Sequence, residues 1–192
     1  MTKFIALAAV AAATLAATPA AAQGTDTGMI APTGGRVEVL FGLDRPKTEG
    51  FKESGIFYGI GAGYDVAVNQ TVSVGVDVEA SDSTANFTVD TIPEVRIKAE
   101  RDLYIGARLS YGLSDVANIY LKGGYTNTRF SATTVGPAGT IRVRDNFGGF
   151  RVGAGGQYEV SPNALVGGEY RYSNYEDGIS RHQLVATIVA RF

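Results

Sequence analysis

The stretch Thr71–Ala80 reads TVSVGVDVEA. Val72, Val74, Val76 and Val78 fall on one parity, and Ser73, Gly75, Asp77 and Glu79 fall on the other. A period of two sends successive side chains to opposite faces of a β-strand, so this segment has one apolar and one polar face. The same alternation recurs along the chain, and the apolar parity admits no charge within the regular part of any strand. A strand facing lipid must be this strict, because a charge at the bilayer midplane costs about 2–4 kcal/mol.

Seven further segments follow the rule. They are Gly35–Leu43, Gly55–Val66, a segment ending at Gly112, Asn118–Thr128, Gly149–Val160, Ala164–Tyr175 and Arg181–Phe192. The start of the one ending at Gly112 is blurred by the charged run Arg96–Arg101. A tilted strand needs about ten residues to cross a bilayer, which is the length these segments have. The expected fold is all-β, an eight-stranded antiparallel up-and-down transmembrane β-barrel spanning residues 35–192.

The first 22 residues carry Lys3, the apolar, Ala-rich run Phe4–Ala17 and then Ala20-Ala21-Ala22 before Gln23. That is the layout of a secretory signal peptide. Residues 23–34 are polar and read as a flexible periplasmic leader. The 192-residue chain has no cysteine, which excludes disulfides and thiolate chemistry. Its formal charge of −2 is spread in both signs along the chain, so nothing points to nucleic acid.

The connections alternate in length. Val68–Gln70, Leu113–Ala117 and Ser161–Asn163 are tight, whereas Asp44–Ser54, Ser81–Val95 and Ser131–Phe147 are longer and polar. Glu176–Ser180 is intermediate. Outer-membrane barrels have short periplasmic turns and longer extracellular loops, so both ends of the barrel are expected on the periplasmic side. Tyr64, Tyr111, Tyr158 and Phe192 then fall at the periplasmic ends of descending strands. There a ring can sit at the membrane interface.

The polar parity carries Glu38, Asp77, Arg108, Lys122, Arg151, Glu169 and Arg171, joined by Glu79, Asp102, Glu159, Arg181 and Arg191. Eight strands leave an interior only wide enough for side chains, and buried charges must be paired. The expected lumen is a charge network that fills the barrel. Leu40, Phe57, Leu165, Val185 and Val189 share the inward parity and add to the filling. The lone histidine, His182, falls on the lipid-facing parity with Ser180 nearby, which is no basis for a catalytic assignment. One His and no Cys give no metal site, and no cofactor is expected. The glycines of Gly59-Ile60-Gly61-Ala62-Gly63 recur every second residue inside a strand pattern and do not form a phosphate-binding loop.

The signal peptide, the eight segments and the C-terminal run His182-Gln183-Leu184-Val185-Ala186-Thr187-Ile188-Val189-Ala190-Arg191-Phe192 together resemble the small eight-stranded outer-membrane β-barrel family of OmpA/OmpX- and Opa-type proteins. The resemblance implies an outer-membrane location, contact with outer-membrane lipid and a monomeric state. It also implies that Leu184, Ile188 and Phe192 form a terminal signal read by the barrel-assembly machinery. Members of this family serve as adhesins, structural components, narrow pores or enzymes. The expectation here is a non-enzymatic structural or surface-interaction role, adhesin-like, with the extracellular loops as the interaction surface and a surface ligand that the residues do not name. A narrow porin-like channel is the alternative, and a lipid-modifying enzyme is less favoured.

Overall fold

The computed structural model describes residues 30–48, 51–52, 54–84, 86–89, 94–136, 139–176 and 179–192. The expected signal peptide, most of the expected leader, and parts of the longer connections lie outside the described residues. Eight strands form the wall: β1 Gly34–Thr48, β2 Gly55–Ala67, β3 Val72–Ser83, β4 Glu94–Gly112, β5 Ala117–Gly136, β6 Gly139–Ser161, β7 Ala164–Tyr175 and β8 Ser180–Arg191. Each pairs antiparallel with its sequence neighbour, and β8 pairs with β1 from Arg36↔Arg191 to Lys47↔Ser180, which closes the sheet. Closure removes both sheet edges at membrane depth, where an unpaired backbone group would have no water to bond.

Ladder partners followed once around the wall run Arg36, Gly63, Asp77, Gly106, Gly124, Arg151, Ser173, Arg181 and back to β1 at Pro46. The path starts at residue 36 and returns at residue 46, a shear of ten residues. With eight strands and ordinary strand spacings, that shear corresponds to a tilt of about 40°. The tilt is what lets strands of this length cross the bilayer.

The alternation sorts the side chains inside out relative to a soluble protein. Val76 is 62% exposed, Ile105 59% and Leu121 60%, whereas Asp77 and Arg151 are each 1% exposed. Tyr64, Tyr111, Tyr158 and Phe192 all stand on the outer face toward the periplasmic rim. Within the barrel, Leu40, Phe57 and Val185 form a small apolar cluster.

Periplasmic turns are tight. Asn69 accepts from the backbone N–H groups of Thr71 (2.9 Å) and Val72 (2.8 Å), an Asx-type closure of the β2–β3 turn. Pro162-Asn163 joins β6 to β7, and Asn163 takes the left-handed conformation at φ 68° that the turn demands, one of the few side chains that adopts it readily.

On the outer side the structure departs from the expected loops. Residues 131–136 and 139–147 continue β5 and β6 as a ladder from Ser131↔Arg144 up to Gly136↔Gly139. The indistinct start of the fourth strand is resolved at Glu94, with a bulge between Ala99 and Asp102. A short strand, Asn86–Val89, pairs with its upper part, and Phe51–Lys52 pairs back onto the top of β1. Beyond the membrane a sheet no longer needs an uncharged outer face, so charged residues become dense there while the backbone pairing continues.

Candidate functional site in the barrel lumen

The inward row of every strand delivers its polar residues to one narrow column. Seven cations there, Arg36, Arg108, Lys122, Arg151, Arg171, Arg181 and Arg191, face seven carboxylates, Glu38, Asp44, Asp65, Asp77, Glu79, Asp102 and Glu169. Each has an opposite charge no further than 3.8 Å away. Among the described residues this column is formally neutral. That balance is required, since an unpaired charge at such depth costs far more than its partner recovers.

Three layers can be distinguished. Near the periplasmic end, Arg36 pairs with Asp65 and Asp77, and Arg108 donates to Asp77 (3.0 Å) and Glu38 (3.5 Å). The Arg108 guanidinium also lies 3.9 Å from the centre of the Tyr120 ring. A cation held over a desolvated ring gains about 2 kcal/mol. In the middle layer, Lys122 bridges Glu79 and Glu169 (2.9 Å to the latter), and Arg171 donates to Glu79 (2.8 Å) and Glu169 (2.5 Å). Tyr120 donates its hydroxyl to Glu169 at 2.8 Å, tying this layer to the one below. In the outer layer, Arg181 reaches Asp44 (2.5 Å) and Asp102 (3.1 Å), and Arg151 reaches Asp102 (2.5 Å) and Ser173 (2.9 Å). Thr126 (2.7 Å) and Tyr175 (3.1 Å) complete the shell around Asp102.

Glycine makes the room. A Cβ on Gly61 would lie 2.9 Å from Glu38 Cγ and 3.3 Å from Glu79 Cγ, and one on Gly153 would meet the Glu169 carboxylate at 2.8 Å. Gly61 of β2 and Gly153 of β6 therefore leave the space into which these acidic side chains fold.

The structure brings Glu38, Asp77, Arg108, Lys122, Arg151, Glu169 and Arg171 together in this column, along with Glu79, Asp102 and Arg181. Arg191 joins at the rim, while Glu159 is only half-buried beside the periplasmic mouth. Three members went unnamed in the sequence reading. Arg36 and Asp65 stand on the inward parity of their strands, so the signal was present. Asp44 lay beyond the expected end of the first strand. The lipid-facing His182 accepts from or donates to Tyr170 through Nδ1 at 2.7 Å and packs 5.1 Å from the Tyr172 ring. That places it in an aromatic patch on the outer leaflet side. Leu184, Ile188 and Phe192 line the lipid face of β8 at 61%, 53% and 78% exposure.

Residues 7–192 match the family model described as the outer membrane protein beta-barrel domain. Ail, the attachment invasion locus protein of Yersinia pestis, superposes with a TM-score of 0.60 at 14% identity, over 84% of this chain and 100% of that one. Ail in complex with the heparin analogue sucrose octasulfate gives 0.61 at 16% identity, with the same coverage. Neisserial surface protein A (NspA) gives 0.59 at 16% identity, over 83% of this chain and 98% of that one. At these identities the likeness is one of fold. Comparison with curated protein sequences found no match. A closed eight-stranded barrel, apolar outside and charged within, together with a family match over nearly its whole length, makes this chain a member of the outer-membrane β-barrel family, seated in the outer membrane.

Proposed function

We propose that the chain is a non-enzymatic surface-interaction protein of adhesin-like type, with the lipid-embedded barrel as a rigid stand for an extracellular β-sheet. The observation that carries this reading is the continuation of β4, β5 and β6 beyond the membrane-spanning segment, with Asn86–Val89 added alongside. Ladder pairing with β7 begins only at Gly149↔Tyr175, so among the described residues 139–148 pair on one side only. Asn86–Val89 likewise has a single ladder partner. Two strand edges without a second ladder partner among the described residues offer backbone donors and acceptors to an incoming strand, a recurrent mode of peptide capture. The neutral, filled lumen supports this role over the channel reading. Exposed Val143, at 54%, adds an apolar contact on the projecting ladder.

Leu184, Ile188 and Phe192 serve as the assembly signal for the insertion machinery, and the barrel works as a monomer. Deleting Phe192 is expected to lower the yield of heat-modifiable, membrane-inserted barrel several-fold. An unchanged yield removes the assembly role.

The test of the surface role shortens the projecting hairpin. Residues 131–144 are replaced by Asn-Gly, a two-residue turn suited to antiparallel strands. Bacteria displaying the full chain should adhere to matrix-coated surfaces above a vector control, and the shortened chain should lose that increment while keeping the heat-modifiable gel mobility of a folded barrel. Equal adherence by both chains, or none above the control, contradicts the proposal.

A further inference from the structure

We propose that residues 30–33 form a strap that closes a hydrated vestibule in the periplasmic third of the lumen, and that the strap opens while the ion-paired layers above remain shut. The segment precedes β1 and turns across the periplasmic mouth instead of leaving it. Ala31 is 4% exposed, and its N–H bonds the Gln70 carbonyl in the β2–β3 turn at 2.8 Å. Ile30 lies with its backbone against Gly112 at the end of β4, where a Cβ would meet the Ile30 carbonyl oxygen at 2.5 Å. The strap thus spans from one turn to another and holds both through backbone contact.

Beneath it lies a cavity of about 160 Å³, lined on its inner side by Asn118, Glu159, Leu165 and Arg191. Asn118 belongs to a second feature. Along the wall the ladder runs Asn118↔Gln157, Gln157↔Gly167 and Gly167↔Thr187, which sets three uncharged polar side chains in one row around a glycine. Asn118, Gln157 and Thr187 are 7%, 3% and 2% exposed. The Asn118 carbonyl oxygen, both amide atoms of Gln157 and the Thr187 hydroxyl have no protein partner, and neither has the Ser73 hydroxyl in the same third of the barrel. Buried polar groups are bonded as a rule, and a row that starts at Asn118 on the cavity wall and continues inward through Gln157 and Thr187 over Gly167 satisfies that rule with water. The charged layers are different in kind, since each of their groups has an opposite charge beside it, although Arg36, Glu38, Asp65, Asp77 and Arg151 each keep a side-chain atom without a hydrogen bond. Only Tyr104 and Gln183 add further unpartnered neutral side chains there, among the described residues.

The strap is held more lightly than the wall. Pro32 has no N–H to donate, and among the described residues the segment is tied by the backbone bond of Ala31. The adjacent wall residue Gly35 exchanges two bonds with Phe192, at 2.8 and 2.9 Å. Opening therefore leaves the β8–β1 seam intact and exposes the vestibule to the periplasm.

The cysteine-free chain supplies a direct test. Gln157→Cys is placed in the vestibule and Gln183→Cys in the outer half, and labelling by a small charged methanethiosulfonate is timed in lipid nanodiscs. Adding Ala31→Glu, which cannot seat a carboxylate under the turn, should raise the rate at Q157C roughly tenfold or more and leave Q183C unchanged. Equal rates at Q157C with and without Ala31→Glu, or equal acceleration at both cysteines, overturn the proposal. A measurement on the unaltered chain stands independently of how Ala31→Glu folds. The Ala31 amide should exchange hydrogen roughly a hundredfold faster than that of Gly35, and comparable protection at the two overturns the strap as a moving part.

Discussion

Arg171 shows what a single lumen residue is worth. It bonds Glu79 and Glu169 together, and its guanidinium also lies 5.4 Å from the Phe57 ring. Removing it leaves two buried carboxylates sharing Lys122 and the more distant Arg151. Arg171→Met is expected to cost about 3–5 kcal/mol, the usual penalty for an orphaned buried charge, read from urea unfolding in lipid vesicles. The pair of substitutions Arg171→Met and Glu169→Leu should recover part of that loss, because it removes charge of both signs. A loss under about 1 kcal/mol for Arg171→Met would mean that the layer is already hydrated. On the lipid side the sign of the argument reverses. Val76 stands midway along β3 on the outer face, and Val76→Arg should destabilise by about 2–4 kcal/mol while Val76→Leu is nearly neutral.

At the scale of elements, the membrane-spanning part of each strand was legible because lipid on one side and a crowded lumen on the other impose strict alternation. The expected segment Ala164–Tyr175 coincides with β7, and Gly55–Val66 misses β2 by one residue. The upper parts of β4, β5 and β6 were not legible. Ile141, Val143 and Phe147 fall on the parity opposite to lipid-facing Phe150 and Val152, with Asp145 interrupting them, so the upper stretch does not continue the lipid-facing pattern of the strand below. Polarity there was read as loop when it marked a solvated ladder. The lumen was legible as a set of residues, but the layering was not. Which carboxylate meets which cation depends on register, and the bulge between Ala99 and Asp102 alone shifts the upper part of β4 against β5. The projecting hairpin should be separable from the barrel. Replacing residues 131–144 by Asn-Gly leaves the pairs from Asp102↔Thr128 downward in place, so urea unfolding of the barrel should shift by about 1 kcal/mol or less. A larger loss would show that the sheet above the membrane holds the wall together.

The whole molecule combines a lipid-facing surface of apolar side chains, a column of seven cations paired with seven carboxylates, a sheet that rises beyond the bilayer and a strap across the opposite end. The column decides between the two functional readings. A shear of ten on eight strands leaves an interior that these side chains fill, and every charge in the column has an opposite charge beside it. Ions crossing it would have to displace charge-assisted hydrogen bonds as short as 2.5 Å at two successive levels. Release of the strap would open only the lowest third to the periplasm. The most direct measurement is therefore conductance of the purified, folded barrel in a planar lipid bilayer over a range of salt concentrations. The filled lumen predicts current indistinguishable from protein-free bilayer at every concentration, whereas discrete openings whose conductance rises with salt would contradict it.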